Sequence, residues 1–371
     1  MFNKLRGATM QHKYYRLPLF IMVVFYMANC QVQQAVRTDD MHPEKMSPNE
    51  TNMKTQTEDR FIKRVGEDAL FSSRGVSYGC YREGQEPNVL GPSDEEILED
   101  LAIISEYWEI IRVYGAEDDS ERILKLIHEN EIPLHVMLGV WLENETARPE
   151  RLELNQAQAK RAIALSRQYP DEIVGINVGN ETQVDWSWHR MAMNDLIKYI
   201  RMIRKNVSVP VTTADDYNFW NKPHSGAVAD EIDFIILHAH PVWNGQLVEY
   251  AVQWTDSVYQ DIQSRFPEMT IVLGETGWAT RYDPTRTGPG EEGVLIKGDV
   301  SVSAQEVFLN DFYTWVFNSQ IPAFLFEAFD EPWKGGGDQT GPDVVEKHWG
   351  VFNEDRTPKA SFENQLKLGP R

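Results

Sequence analysis

Ile173-Val174-Gly175-Ile176-Asn177-Val178-Gly179-Asn180-Glu181-Thr182 is an apolar run that ends in a carboxylate. A second run is built alike: Thr270-Ile271-Val272-Leu273-Gly274-Glu275-Thr276-Gly277-Trp278. Each reads as a strand. The tip of a buried strand is a costly place for a charge, since desolvating an unpaired carboxylate costs several kcal/mol. One such glutamate is ordinarily a loop charge or the neighbour of a helix N-cap. Two, each with glycine close before it and a polar or aromatic residue after it, point to a pair put to use.

Outward from these runs the pattern alternates strand and helix. Strands are expected at Gly75–Cys80, Ile110–Tyr114, Leu134–Val140, Ile173–Val178, Val211–Ala214, Phe234–His238, Ile271–Leu273 and Ala323–Ala328. Helices are expected near Asp94–Trp108, Ser120–Asn130, Leu154–Gln168, Met191–Lys205, Leu247–Phe266 and Ala304–Phe317. The segment between the fifth and sixth strands reads as a loop with at most one helical turn. No GxGxxG follows the first strand, so an α/β fold of the (β/α)8 TIM-barrel kind is expected over a dinucleotide-binding sheet. Residues 73–371 suit one such barrel.

The chain has 371 residues, is 42% hydrophobic and carries a net charge of -21. That balance argues against nucleic acid or an anionic membrane surface as partner, both of which demand a basic face. At the start, Lys4, Arg6, Lys13 and Arg16 precede the apolar stretch Leu17–Ala28. A charged region followed by a short apolar one is a signal peptide over residues 1–30. Met27-Ala28-Asn29-Cys30 resembles a bacterial lipoprotein signal, with Cys30 as the lipidated residue and the only tie to a membrane. An ordinary secretory signal and an uncleaved anchor are the alternatives. Residues 31–72 are polar and without apolar periodicity, which reads as a flexible spacer. Cys80 is then left alone in the barrel, without a disulfide partner.

In (β/α)8 barrels chemistry sits at the C-terminal ends of strands. Here the tips are polar or aromatic almost throughout: Tyr78 and Tyr81, Arg112-Val113-Tyr114, Trp141, Asn180-Glu181, Asp215-Asp216-Tyr217, His238-Ala239-His240-Pro241-Val242-Trp243, Glu275-Thr276-Gly277-Trp278, and Glu327 through Lys334. Two glutamates facing each other, one an acid and one a nucleophile or base, are what cleavage of a glycosidic bond requires. Strands four and seven lie on opposite sides of an eight-stranded ring, so their tips can face each other. An acid at such a site must keep its proton near neutral pH, which burial and a negative neighbour favour.

Five motifs, in order across the whole barrel, carry a resemblance: Gly75-Val76-Ser77-Tyr78 with Tyr81-Arg82, Ile111-Arg112-Val113-Tyr114-Gly115, Val178-Gly179-Asn180-Glu181, Gly274-Glu275-Thr276-Gly277-Trp278, and Phe326-Glu327-Ala328-Phe329-Asp330-Glu331-Pro332-Trp333-Lys334. They resemble glycoside hydrolase family 17, in the clan of retaining barrel enzymes. The last motif resembles the bacterial and fungal branch more than the plant one. The resemblance implies a retaining β-1,3-glucanase of the laminarinase type that needs no cofactor; endo action and a monomer are expected beside it. It makes Glu181 the acid/base and Glu275 the nucleophile, and sets Asn180 on the sugar 2-hydroxyl. His240 stands where many members have Tyr, before Pro241, and is expected to take over that residue's bond to the nucleophile. Tyr78, Arg112, Tyr114, Trp243, Trp278, Trp333 and Trp141 are candidate sugar contacts, although each aromatic alone is as readily a core residue. Glu327, Glu331 and Lys334 are either an auxiliary acidic and basic cluster at the cleft or a surface salt bridge.

Exo action and transglycosylation are variants of the same chemistry, and the loop Tyr282–Asp299 is the insertion expected to decide between them. Two other classes compete. His238-x-His240 with Asp215, Asp216 or Glu275 would suit a metal-dependent hydrolase. A non-catalytic glucan-binding lipoprotein would need no intact glutamate pair.

Overall fold

The computed structural model describes residues 75–367, with side chains up to Glu363. The expected signal peptide at 1–30, Cys30 and the spacer 31–72 lie outside the described residues.

Eight strands close into one parallel barrel in sequence order. They are β1 (Gly75–Ser77), β2 (Ile110–Arg112), β3 (His135–Val140), β4 (Ile173–Asn180), β5 (Val211–Asp216), β6 (Ile235–His238), β7 (Ile271–Thr276) and β8 (Ala323–Leu325). β8 pairs with β1 through Gly75 and Val76, which removes the sheet edges. The helices are α1 (Asp94–Ser105), α2 (Asp118–Glu129), α3 (Arg151–Gln168), α4 (Met193–Arg204), α5 (Tyr217–Trp220), α6 (Gly226–Ala229), α7 (Val248–Arg265), α8 (Glu292–Leu295), α9 (Val302–Ser319) and α10 (Ala360–Lys367). None among the described residues is long and apolar enough to cross a membrane.

Local chemistry explains the starts. Ser93 accepts from the Glu96 backbone while the Glu96 carboxylate accepts from the Ser93 N–H, a reciprocal cap for α1. Ser301 caps α9 one way only, accepting from the Ala304 N–H. Inside the ring, Ile110, Met137, Val174, Ala214, Phe234, Ile236, Val272 and Phe324 form their own apolar plug. A larger cluster fills the space between strands and helices. The barrel is thus a packed core, and solvent-facing chemistry is left to its rim. Cys80 is buried in that larger cluster, where burial pushes its thiol well up.

The strand boundaries differ from expectation at the rim. β1, β2 and β8 end two to three residues early, because their last residues turn away to make loops. β4, β5 and β7 run further, to Asn180, Asp216 and Thr276. The connection from β5 to β6 is no plain loop: α5, a 3-10 turn at Pro223–Ser225 and α6 fill it. α10, after β8, was not expected at all.

Candidate active site

Both glutamates arrive through irregular backbone. The β4–β5 register shifts between Asn177 and Asn180, Gly179 takes φ +79° and Glu181 itself takes φ +49°. A left-handed glutamate is strained by about 1–2 kcal/mol. It holds because its N–H donates to Ala214 O at 2.9 Å. The β6–β7 and β7–β8 pairings shift register as well, around His238 and Glu275. Such bulges re-aim side chains at barrel rims.

Glu275 has a side chain 7% exposed. Arg112 Nη1 donates to its Oε1 at 2.6 Å, and Tyr114 Oη donates to the same oxygen at 2.9 Å. His240 Nε2 lies 3.2 Å from Oε2, and His238 Nε2 lies 3.4 Å from Oε1. Burial pushes this carboxyl up, but His238, the Arg112 guanidinium and His240 together outweigh burial and hold it well below the usual range. A second arm of Arg112 reaches Asn180 Oδ1 at 2.6 Å. The guanidinium, fully buried, therefore ties the tips of β4 and β7 together.

Glu181 is more open, its side chain 24% exposed. His238 Nδ1 lies 3.0 Å from its Oε1. One carboxylate oxygen of Glu181, one of Glu275 and a ring nitrogen of His238 all lie within 4.8 Å of one another. The three could ligate a metal. Against that, Arg112 already sits on Glu275 as a fixed positive charge, which would repel a divalent ion there. Asp215, one ligand of the metal reading, accepts instead from the backbone N–H groups of Gln183 and Asp216. Burial first, and the charge of Glu181 second, push Asp215 well up and Asp216 to about 7.

Behind β8 the auxiliary cluster is buried, not a surface salt bridge. Lys334 Nζ contacts Glu327 Oε2 and Glu331 Oε2, both at 2.5 Å, and Trp333 Nε1 donates to Glu331 Oε1 at 2.9 Å. Burial pushes Glu327 well up, while Lys334 holds Glu331 below its usual range against burial. A Cβ on Gly79 would stand 1.9 Å from Glu331 Oε1, so only glycine admits that carboxylate.

Three candidate sugar contacts are corrected. Arg112 is 0% exposed and spends its guanidinium on Glu275 and Asn180, so it orients those two side chains instead of facing a sugar. Tyr78 is 2% exposed and donates to Asp100 on α1, because β1 has already ended and its ring turns outward into the core. Trp278 is 1% exposed, stacks on Phe308 of α9 and donates to Asp299 O. Tyr114, Trp141, Asn180, His240, Trp243 and Trp333 are part-exposed on the rim side.

The sequence model of the BtgE/BtgC glycoside hydrolase domain matches residues 75–350, three quarters of the chain. The chain belongs to this family. Among relatives, the glucan endo-1,3-beta-glucosidase btgC of Emericella nidulans is 28% identical over 73% of this chain. The match takes in 42% of that relative, so the chain spans about two fifths of the fungal btgC proteins. A glucan 1,3-beta-glucosidase of Schizosaccharomyces pombe is 26% identical over 71% of this chain and 79% of its own length. Of solved structures, an endo-laminarinase from Formosa aligns at TM-score 0.70 and 25% identity, covering 82% of this chain and 90% of that one. A β-1,3-glucanosyltransferase from Rhizomucor miehei, at TM-score 0.63 and 21% identity, shares the fold.

The BtgE/BtgC barrel also brings in residues that the motifs did not single out. Glu346, on the 3-10 turn Val345–Lys347, is half-buried. Burial chiefly raises its carboxyl; Lys334 and His240 oppose this, and Glu181 and Glu275 add to it, so it shares their field. Nothing in its neighbourhood along the chain separates it from a loop charge. His189, whose Nε2 lies 2.6 Å from Asn180 O, is likewise hidden in a loop.

Proposed function

We propose that this BtgE/BtgC domain is a retaining, family 17 type glycoside hydrolase that cleaves β-1,3-glucan of the laminarin kind. Glu275 is its nucleophile and Glu181 its acid/base. The observation that carries the reading is the gap of at most 4.8 Å between oxygens of the two glutamates. Retaining enzymes separate their carboxyl groups by about 5–5.5 Å, whereas inverting ones leave about 6.5–9.5 Å for a water.

The asymmetry of the pair supports the roles. Glu275, pressed by Arg112, Tyr114 and two histidines, is kept ionised and pointed. It attacks the anomeric carbon while the glycosidic C–O bond breaks and Glu181 gives its proton to the leaving oxygen. Glu181 then takes a proton from water, the oxygen attacks the anomeric carbon, and the ester bond to Glu275 breaks. Asn180, whose Oδ1 accepts from Arg112, is the residue we assign to the 2-hydroxyl. No metal enters these steps. The names of the Emericella and Formosa proteins favour endo action on a β-1,3-glucan. That of the Schizosaccharomyces protein favours exo action as a second reading. An exported, lipid-anchored form is part of this proposal; the basic residues before the apolar stretch Leu17–Ala28 and the Cys30 that follows it support that reading.

Laminarin digestion followed by proton NMR tests the whole reading. The first product is expected as the β-anomer, and early chromatography as a ladder of sizes. Glu275→Ala is expected to lower kcat on the order of 10^4-fold. An α-anomer in the first minutes, or undiminished turnover in Glu275→Ala, would sink it; a single small product from the outset selects exo action.

A further inference from the structure

The loop from Glu181 to α4 contains Asp185-Trp186-Ser187-Trp188-His189-Arg190. Trp188 is 65% exposed, the most exposed Trp, Tyr or Phe among the described residues, and Trp186 is 37% exposed. Leaving two indoles in water is costly unless they are covered in use. Trp188 is also not adrift. Its ring lies 6.5 Å from Trp141, at the tip of β3, and 5.0 Å from His189. Trp141 and His189 pack at 4.5 Å. The Arg148 guanidinium lies 5.0 Å from the Trp188 ring and pairs with Glu143.

This aromatic ledge is continuous with the active site, since His189 bonds Asn180 O and Asn180 precedes Glu181. The loop carrying it is pinned at both ends. Met191 N–H donates to Thr182 O at 3.0 Å, and Asn144 Nδ2 donates to Arg190 O at 2.6 Å. A pre-ordered aromatic spends little entropy on binding. Polar groups stand beside the Trp188 ring, His189 and the Arg148 guanidinium, and the same loop carries the ion pair of Asp185 with Arg190. An indole face rimmed by polar groups suits a pyranose, whose C–H face is apolar and whose hydroxyl edge is not. An apolar protein partner would call for a contiguous apolar patch instead.

We propose that Trp188, braced by Trp141, His189 and Arg148, is a distal sugar-binding subsite. It holds a glucose unit of a β-glucan beyond those at the reacting bond and so favours long chains. The proposal rests on the hydrolase reading above, and its test separates the two.

In the full chain, Trp188→Ala is expected to lower the ratio of kcat/KM on laminarin to that on laminaritriose about tenfold, through KM, with Trp188→Phe restoring most of it. Independently of turnover, laminarin in a native gel is expected to retard Glu275→Gln, and to retard Glu275→Gln with Trp188→Ala much less. An unchanged ratio together with equal retardation overturns the ledge while leaving the hydrolase reading intact. Retardation that depends on Trp188 in a protein without laminarin turnover upholds the ledge and removes the hydrolase reading. Neither turnover nor retardation with laminarin overturns both.

Discussion

Charge at this candidate site is decided residue by residue. Glu275 sits deep, with a side chain 7% exposed, yet its carboxyl is held well below the usual range, because burial loses to one guanidinium and two imidazoles. Asp216 shows the opposite balance. It is 5% exposed, caps α5 through Asn218 N–H, and has no cation against it close enough to outweigh burial and Glu181. Its carboxyl is raised to about 7, so the folded protein keeps a proton that the unfolded chain has already released. Stability from this group therefore falls as pH rises through roughly 4 to 7. Asparagine keeps the capping oxygen and lacks the charge. Asp216→Asn is expected to raise Tm at pH 8 by at least about 2 °C and to change it little at pH 4, as calorimetry would read. A gain of equal size at both pH values would mean that the charge is not its cause. In sequence both glutamates were legible from their strands, while this proton was not: whether an acid is raised or lowered depends on which charges the fold folds against it.

At the scale of elements, glycine decides how closely strand tips approach. Gly139 in β3 faces the backbone at the end of β2, and a Cβ there would stand 2.2 Å from Tyr114 C and 2.5 Å from Val113 O. That contact is what lets Tyr114 reach Glu275. Gly139→Ala is expected to cost about 1–3 kcal/mol in urea unfolding. It is also expected to lower kcat about tenfold by shifting the Tyr114 hydroxyl, the size of one lost hydrogen bond to a charged group. Normal kcat in a folded variant would show that Tyr114 does not position Glu275. The strands themselves were legible because each is a short apolar run between polar punctuation. The rim was less so. Alternation along a strand gives a side for each residue only while the strand lasts; β1 ends at Ser77, and Tyr78 accordingly turns to α1 instead of the cleft. The bulges that aim Asn180 and Glu181 leave no mark in composition. The short helices α5 and α6 are too brief for any periodicity.

Over the whole molecule, one buried ion cluster spans the closure of the ring. Asp100 on α1 is fully buried. It accepts from Arg82 at 2.8 Å, from Tyr78 at 2.9 Å, and twice from Arg356 at 2.7 Å. Arg356 also lies 4.4 Å above the Phe329 ring. Removing one partner of a buried pair strands the other charge. Arg356→Ala is expected to cost about 3–5 kcal/mol, and a double change of Asp100→Asn with Arg356→Met to recover part of it. Thermal unfolding of the three proteins measures this, and a double variant no better than the single would point to packing on Phe329 instead. The overall architecture was legible from element order alone, but this cluster was not, since its members stand 256 positions apart. A stave-and-hoop vessel of this sort cannot hold until its last hoop is fitted. While the ribosome is still short of position 356, Asp100 lacks its main counterion; until β8 has emerged, β1 remains a bare strand edge that another unfinished chain could join.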